Sequence, residues 1–308
     1  MIYTITLNPA LDRTLFLDDL KYEDANRVKK EKRFAGGKGI DVSRVLTHLS
    51  VPNKALVFLG GYVGMEIEGL LLNEGIHTEA VKLSEETRTN IILDLEENKQ
   101  QVIINAKGPE VKPQELSAFF ERINDLEDPW MVTFNGSLPP NTNPAFYTRA
   151  IELVKQKGAL VFLDSDSKNL EEGIKGKPDF IKPNIHELSR LCGKELKKLP
   201  EIIAAAKDIV HKGVKTVIVS MGAKGITYVS EEEIITVMPP KVNVVNTIGA
   251  GDSSIAGFIY AKYNKMTNEE AVKYAVAAGT ATTLQEGTAL ASKEEIRSIL
   301  NDVKSNKL

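Results

Sequence analysis

The stretch Thr247-Ile248-Gly249-Ala250-Gly251-Asp252 has the residue types for moving a charged group. Two glycines let a backbone turn sharply and come close to a ligand. Residues 253–263 carry Ile255, Phe258, Ile259 and Tyr260 on one stripe, which predicts a helix directly after the turn. A helix starting there presents unpaired N–H groups and a positive dipole end, a natural phosphate site. Asp252 stands at that mouth. A carboxylate there can take a proton from a hydroxyl while the N–H groups steady a moving phosphoryl group. The same hexapeptide also reads as a tight turn with Asp252 as a helix cap. A β-type run at 242–245 leads into it.

Three further segments have chemical potential. Ala35-Gly36-Gly37-Lys38-Gly39 opens a second helix, with a cation beside flexible backbone. It is either a flexible turn or another close approach to a ligand. In Lys182-Pro183-Asn184, the asparagine precedes Glu187 by three residues. That spacing puts both on one helix face, as a cap with its capping glutamate or as oxygen ligands holding Mg²⁺ through waters. Ser220-Met221-Gly222-Ala223-Lys224-Gly225 follows a strand and reads as a glycine hairpin or as a lining for phosphates.

The elements that must position these segments follow from periodicity. Residues 2–7 form the first strand, ended by Asn8-Pro9. Extended runs at 13–17 and 27–34 follow, the second carrying Arg27, Lys29, Lys30, Lys32 and Arg33, a solvated strand face. The helix after Gly39 runs to Leu49. A strand at 55–59, a helix at 65–73 with Gly75 just beyond it, and a hairpin of 90–95 with 101–105 across 96–99 come next. Strands without helices of their own suggest a small separate sheet, a lid built from segments of about 12–35 and 88–107. From residue 112, helices (113–124, 144–156, 187–191, 200–211) alternate with strands (131–134, 159–163, 216–219). This predicts a three-layer αβα fold with a mostly parallel central sheet in a single domain, 1–308. Ligands collect at the C-terminal strand ends of such sheets, where Asn8, Asp12, Asn135, Gly136, Ser137, Asp164, Lys182, Asn184, Ser220 and Asp252 fall. The chain is helical past residue 252, its last helix opening on a capping box at Ser292, and residues 304–307 are expected to fray.

Composition narrows the class. Hydrophobic residues make up 42% and charged residues 26%, as in globular chains, and the net charge of −3 argues against general nucleic-acid binding. Cys192 is a lone cysteine, so no internal disulfide is expected. No run reaches ~18 apolar residues, so no membrane span is expected; the N-terminus reads as a strand rather than a signal peptide, and a cytoplasmic location is expected. The P-loop, the dinucleotide fingerprint, the G-x-S-x-G elbow and H-E-x-x-H are absent from the sequence. The four histidines, His48, His77, His186 and His211, are scattered.

The ordered set Thr6 to Asp12, Gly36-Gly37-Lys38-Gly39, Thr87-Arg88, Gly136-Ser137-Leu138-Pro139, Lys182-Pro183-Asn184 with Glu187, Ser220 to Gly225 and Thr247 to Asp252 resembles a ribokinase-like sugar kinase of the PfkB family. Within it, the chain resembles the 1-phosphofructokinase and tagatose-6-phosphate kinase branch. The resemblance implies ATP and Mg²⁺ as cofactors and a ketohexose phosphate as substrate. Fructose 1-phosphate, phosphorylated at its 6-hydroxyl, leads; tagatose 6-phosphate or fructose 6-phosphate is the alternative. A sugar-phosphate-binding regulator without turnover is a third reading. The resemblance makes Asp252 the base and the backbone of Gly249, Ala250 and Gly251 the anion hole. It gives sugar-phosphate binding to Asp12, Arg27, Gly37, Lys38, Asp41, Arg88 and Ser137. ATP falls to Lys182, Asn184, Ser220, Gly222, Lys224, Gly225 and Gly251, and Mg²⁺ to Asn184 and Glu187. A homodimer through the lid sheet is also implied.

Two positions depart from the family pattern. Asp41 stands where an asparagine is usual, and an ionised aspartate there would repel a phosphate. The expectation is that Asp41 pairs with Lys38 or a neighbouring base, and that Lys38 moves from Asp41 to the reacting phosphates. Leu163-Asp164-Ser165-Asp166-Ser167 also carries an extra acid.

Overall fold

The computed structural model describes residues 1–97 and 100–307. In chain order the elements are β1 (Ile2–Thr6), β2 (Ala10–Leu17), β3 (Lys30–Gly36), α1 (Lys38–His48), β4 (Asn53–Gly60), α2 (Gly61–Asn73), β5 (His77–Leu83), β6 (Arg88–Leu95), β7 (Gln100–Ile104), α3 (Pro113–Asn124), β8 (Met131–Asn135), α4 (Ala145–Gln156), β9 (Leu160–Asp164), α5 (Ser167–Lys175), β10 (Phe180–Ile181), α6 (Ile185–Cys192), α7 (Leu199–His211), β11 (Thr216–Ser220), β12 (Ile226–Ser230), β13 (Ile234–Met238), α8 (Ala250–Tyr263), α9 (Asn268–Thr282), α10 (Lys293–Leu300) and β14 (Lys304–Lys307).

The strands form a ten-stranded sheet, ordered β14-β13-β12-β11-β10-β9-β8-β1-β4-β5, and a four-stranded sheet, ordered β3-β2-β6-β7. Strands β5 to β11 of the large sheet run parallel, as the helix–strand alternation predicts; the β11-β12-β13-β14 edge is antiparallel. Period-two side-chain alternation sorts the core into layers. Val132 and Phe134 of β8, with Val161 and Leu163 of β9, face the helices α3 to α7. Met131 and Phe162, from the same strands, face α1, α8, α9 and α10. The lid is rooted in a third cluster, where Leu11 and Ala35 pack with Ile67 and Leu71 of α2.

Several expectations are corrected. Residues 242–245 form no strand; Val244 and Val245 are exposed, and Val245 and Asn246 donate their N–H groups to Thr283 O after α9. A β-branched run there meets no open sheet edge, so it remains a loop. Residues 304–307 are not frayed: β14 pairs with β13 and closes the antiparallel edge. Helix α2 begins at Gly61, four residues ahead of the expected start, while Gly75, at φ 74°, follows the Glu74 cap as anticipated. Strand β5, helix α5 and short β10 had no clear periodic signal. In the expected hairpin turn, Asn98 and Lys99 lie outside the described residues.

The basic run near the lid is a solvated face, as its composition suggests. Lys29 pairs with Asp18 and Glu96, and Arg33 with Glu31 and Glu66.

Glycine decides how closely α8 and α9 approach. A Cβ on Gly257 would lie 2.4 Å from Tyr274 O and 2.9 Å from Ala278 Cβ. Alanine is the better helix former by about 1 kcal/mol, but forcing packed helices apart costs about 1–3 kcal/mol. Gly257→Ala is therefore expected to lower stability by up to about 2 kcal/mol, read as a lower urea midpoint at unchanged slope. A raised midpoint would show that the helix pair has room to spare.

Candidate active site

Register places the chemistry. Thr6 at the end of β1 is level with Asn135 at the end of β8, and Asn135 is level with Asp164 at the end of β9. Ile181 of β10 is level with Leu163, which sets Lys182 beside Asp164. One edge of the sheet thus gathers a hydroxyl, an amide, a carboxylate and an ammonium group. The sharp turn at Gly136 (φ 88°) is held from below, where Tyr147 and Ser165 donate to its carbonyl at 2.9 and 2.8 Å.

The charges at this edge are tightly linked. Lys38 Nζ lies 3.0 Å from Asp164 Oδ2, and Lys182 Nζ lies 3.7 Å from Asp164 Oδ1. Asp164 is 2% exposed. Burial opposes its charge, but the two ammonium groups outweigh burial and hold its carboxyl below the usual range. Asp164 in turn holds Lys38 firmly protonated. Lys38 therefore pairs with Asp164, and of the two expected partners of Asp41 it is a neighbouring base, Arg44, that takes it, at 3.3 Å.

Asp252 lies in the first turn of α8, 8% exposed. Burial and the nearby negative charges of Asp164 and Glu187 outweigh Lys38 and Lys182, and its carboxyl is pushed up to about 7. No side chain caps α8, and Gly249 at φ 72° takes the left-handed turn that aims the helix start at the site. Asp252 therefore sits inside the helix, four residues on from the turn's Ile248, rather than at its cap. A Cβ on Gly251 would stand 3.4 Å from Lys182 Nζ, which puts the ammonium group close to the first turn of α8.

Two cavities meet here. The outer one, of about 580 Å³, is lined by Lys182, Asn184, Ser220, Gly222 and Gly251, with His186 at its wall. The inner one, of about 450 Å³, is lined by Asn8, Gly37, Asp41, Arg88, Asn135 and Ser137. Lys38, Glu187 and Asp252 line both. Thr6 Oγ1, Asn8 Oδ1 and Asn135 Oδ1, at the inner cavity, have no hydrogen-bond partner.

Other anticipated residues fall differently. Asp12 is not at the cavity wall but accepts a bond of 2.8 Å from Asn90, which lines it. Arg88 lines the cavity while donating to the carbonyls of Asn8, Pro9 and Ala106, so it also ties the lid to the sheet. Arg27 is exposed in the loop before β3 and does not reach this chain's own cavity. Lys224 and Gly225 lie off the outer cavity wall; Gly225 (φ 89°) serves the β11–β12 hairpin, where a Cβ would strike Val237 O at 1.9 Å.

The Asn184–Glu187 spacing is realised as a capping box. Asn184 Oδ1 accepts from the N–H groups of His186 and Glu187, and Glu187 Oε2 accepts from Asn184 N–H. Glu187 Oε1 is left for the cavities. Burial raises the Glu187 carboxyl above its ordinary range. Among the described residues, no group of three His, Cys, Asp or Glu is placed to hold a metal ion.

Sequence reading gave no site role to Thr6, Asn90 or Asn169, which line the inner cavity. Asn90 becomes visible only with the lid pairing, which sets it level with Asp12.

Two cavities joined at a carboxylate, beside an uncapped helix start and beneath a β-sheet lid, define a phosphotransferase of the three-layer αβα class. Comparison with known proteins agrees. Residues 5–295 match the model of the pfkB family carbohydrate kinases. The 1-phosphofructokinase of Borreliella burgdorferi is 37% identical over 92% of each chain. The tagatose-6-phosphate kinase of Staphylococcus epidermidis is 34% identical over 98% of each. The structure of phosphofructokinase-2 from Escherichia coli in complex with substrates and products superposes with a TM-score of 0.93, at 31% identity and 98% coverage of both chains. The chain belongs to the pfkB family of carbohydrate kinases.

Asp164 carries a testable part of this electrostatic frame. Its folded-state acidity is increased, so its stabilisation is present above the unfolded value of about 3.9 and is lost as pH falls through the lower folded value. Asp164→Asn is expected to cost about 2–3 kcal/mol at neutral pH, below the full worth of a buried pair because Lys38 is partly exposed. Urea midpoints of the two forms should converge in acid; a constant gap from pH 7 to 3 would contradict the assignment.

Proposed function

We propose that the chain transfers the terminal phosphoryl group of ATP to the 6-hydroxyl of fructose 1-phosphate, giving ADP and fructose 1,6-bisphosphate. The observation that carries this reading is the pair of cavities sharing Lys38, Glu187 and Asp252. A phosphoryl donor in one and an acceptor in the other would meet at Asp252.

Each residue then has a task. Arg88, Ser137, Gly37 and Asn8 bind the sugar phosphate in the inner cavity. Lys182, Asn184, Ser220, Gly222 and Gly251 bind ATP in the outer one. Asp252 takes the proton of the acceptor hydroxyl as its oxygen bonds to phosphorus and ADP leaves. The N–H groups at the start of α8 and the Lys38 ammonium group stabilise the equatorial oxygens. Mg²⁺ would neutralise phosphate charge, and Glu187 Oε1 is the group left to position it, because Asn184 Oδ1 already accepts two N–H groups. The acceptor is taken to be already phosphorylated because Arg88 adds a cation to a cavity that a neutral sugar would not require. We further infer a cytoplasmic enzyme that dimerises through the lid, where Ile103 and Ile104 of the outer strand β7 are exposed. Similarity to the tagatose-6-phosphate kinase keeps tagatose 6-phosphate as the second substrate to test.

Coupled ADP-release assays should give the highest kcat/KM on fructose 1-phosphate, ahead of tagatose 6-phosphate and fructose 6-phosphate. Turnover on none would leave a binding protein. Asp252→Asn should keep ATP affinity and lower kcat by about 10²–10⁴-fold. The base form of Asp252 exists above its pKa, so kcat/KM should rise with pH through about 7. A variant retaining that limb would remove Asp252 from the role.

A further inference from the structure

The turn after β8 holds one peptide unit still. Gly136 N–H donates to Asp164 O at 2.7 Å, and the Gly136 carbonyl accepts from Tyr147 Oη at 2.9 Å and Ser165 Oγ at 2.8 Å. Each hydroxyl carries a single proton, and both protons are spent on this one oxygen. Tyr147 comes from the first turn of α4, is fully buried, and stands edge-on to Phe134 of β8 with ring centroids 6.0 Å apart. Burial pushes its phenol above the ordinary range, so the proton stays on the oxygen. Tyr147 does not line the inner cavity, so it acts on a bound ligand only through what it holds.

The consequence falls on Ser137, at the cavity wall. A trans peptide unit is planar, with its N–H opposite its C=O. Pinning the Gly136 oxygen toward Tyr147 and Ser165 therefore turns the Ser137 N–H away from them. Among the described residues that N–H has no acceptor. The Ser137 hydroxyl is directed as well. Asn8 uses both Nδ2 hydrogens, donating to Lys107 O at 3.3 Å and to Ser137 Oγ at 3.2 Å. The reverse amide orientation would set Asn8 Oδ1 against the Lys107 carbonyl. Ser137 Oγ is thus an acceptor toward Asn8, and its own proton is free for another partner. One residue thereby offers two donors, N–H and O–H, and both suit an anion.

We propose that Tyr147 is a positioning residue for the substrate: by holding the Gly136 carbonyl together with Ser165, it aims the two donors of Ser137 at the phosphate already on the sugar. This rests on the kinase reading above. The arrangement serves one end of the reaction only. Gly136, Ser137 and Ser165 line the inner cavity and are absent from the wall of the outer one. A Gly136 carbonyl that has lost a donor is therefore felt in sugar-phosphate binding and not in ATP binding.

The test measures fructose 1-phosphate binding by isothermal titration calorimetry, beside steady-state kinetics and urea midpoints, for Tyr147→Phe, Ser165→Ala and Ser137→Ala. Tyr147→Phe deletes one oxygen and keeps the ring. It should weaken fructose 1-phosphate binding and raise its KM by about fivefold, the usual worth of one hydrogen bond, with kcat within about twofold and KM for ATP unmoved. In the Ser137→Ala background, where one of the two donors is already gone, the same change should cost only about twofold. A structural role alone would lower the urea midpoint and leave the sugar constants in place, and that result overturns the proposal. Equal losses toward fructose 1-phosphate and ATP would show a general loosening of the site and overturn it too, as would full additivity with Ser137→Ala. If Tyr147→Phe does not fold, Ser165→Ala, which frees the same carbonyl from its other donor, carries the same expectation. Absence of turnover by the unsubstituted chain with fructose 1-phosphate still bound overturns the kinase reading alone; absence of binding overturns both.

Discussion

The site depends on the way Asp164 is neutralised. A buried carboxylate is costly unless it is paired, and here Lys38 and Lys182 approach opposite oxygens of the same carboxylate. That arrangement keeps two ammonium groups at the meeting point of two cavities without leaving either one bare. It also sets the balance at Asp252. The lysines alone would hold that carboxyl low, but Asp164 and Glu187 return negative charge, and burial tips the result to about 7. A base poised near neutrality is the outcome of burial together with four neighbouring charges, not a property of the Gly-Ala-Gly-Asp turn itself.

Backbone geometry then gives the charges their aim. Gly249 turns the chain left-handed so that α8 points its free N–H groups inward. Across the site, Gly39 lets α1 rest against β1, where a Cβ would lie 2.4 Å from Thr6 Oγ1 and 2.6 Å from Ile5 O. Two helix starts from the same face of the sheet therefore approach one region, one bearing Asp252 and the other Lys38 and Asp41. The α8–α9 pair behind them is packed through Gly257 and Gly279, so the first turn of α8 rests on a rigid support.

Much of this was legible in the chain. Helix–strand alternation gave the parallel sheet, and strands lacking helices gave the small separate sheet. The ordered motifs placed Lys182, Ser220, Gly251 and Asp252 on a common edge. What sequence left open was set by partners distant along the chain. Residues 242–245 have strand composition but no sheet edge to join, and 304–307 have a tail's composition but find one. Asn184 and Glu187 fit a cap and a metal pair equally by spacing; three hydrogen bonds show the cap, with one Glu187 oxygen left over. Asp41 had Lys38 or a neighbouring base to choose from by sequence; strand register brings Asp164 to Lys38, and Arg44 takes Asp41.

The same partition explains why the inner cavity can be acidic and still suit a phosphorylated sugar. Of its two cations, Lys38 is paired with Asp164, while Arg88 stands at the other end, away from the helix starts. Arg88 is anchored by the carbonyls of Asn8, Pro9 and Ala106 where the lid meets the sheet. Asp41 and Asp252 belong to the helix starts. A substrate with a dianion at one end and hydroxyl groups along the rest matches that division; a substrate bearing phosphates at both ends does not. After transfer, the product carries its new phosphate beside Asp252, and the protonated carboxyl there must lose its proton before another cycle. Reprotonating the medium restores negative charge next to the new phosphate, so the recovery of the base and the expulsion of product favour each other.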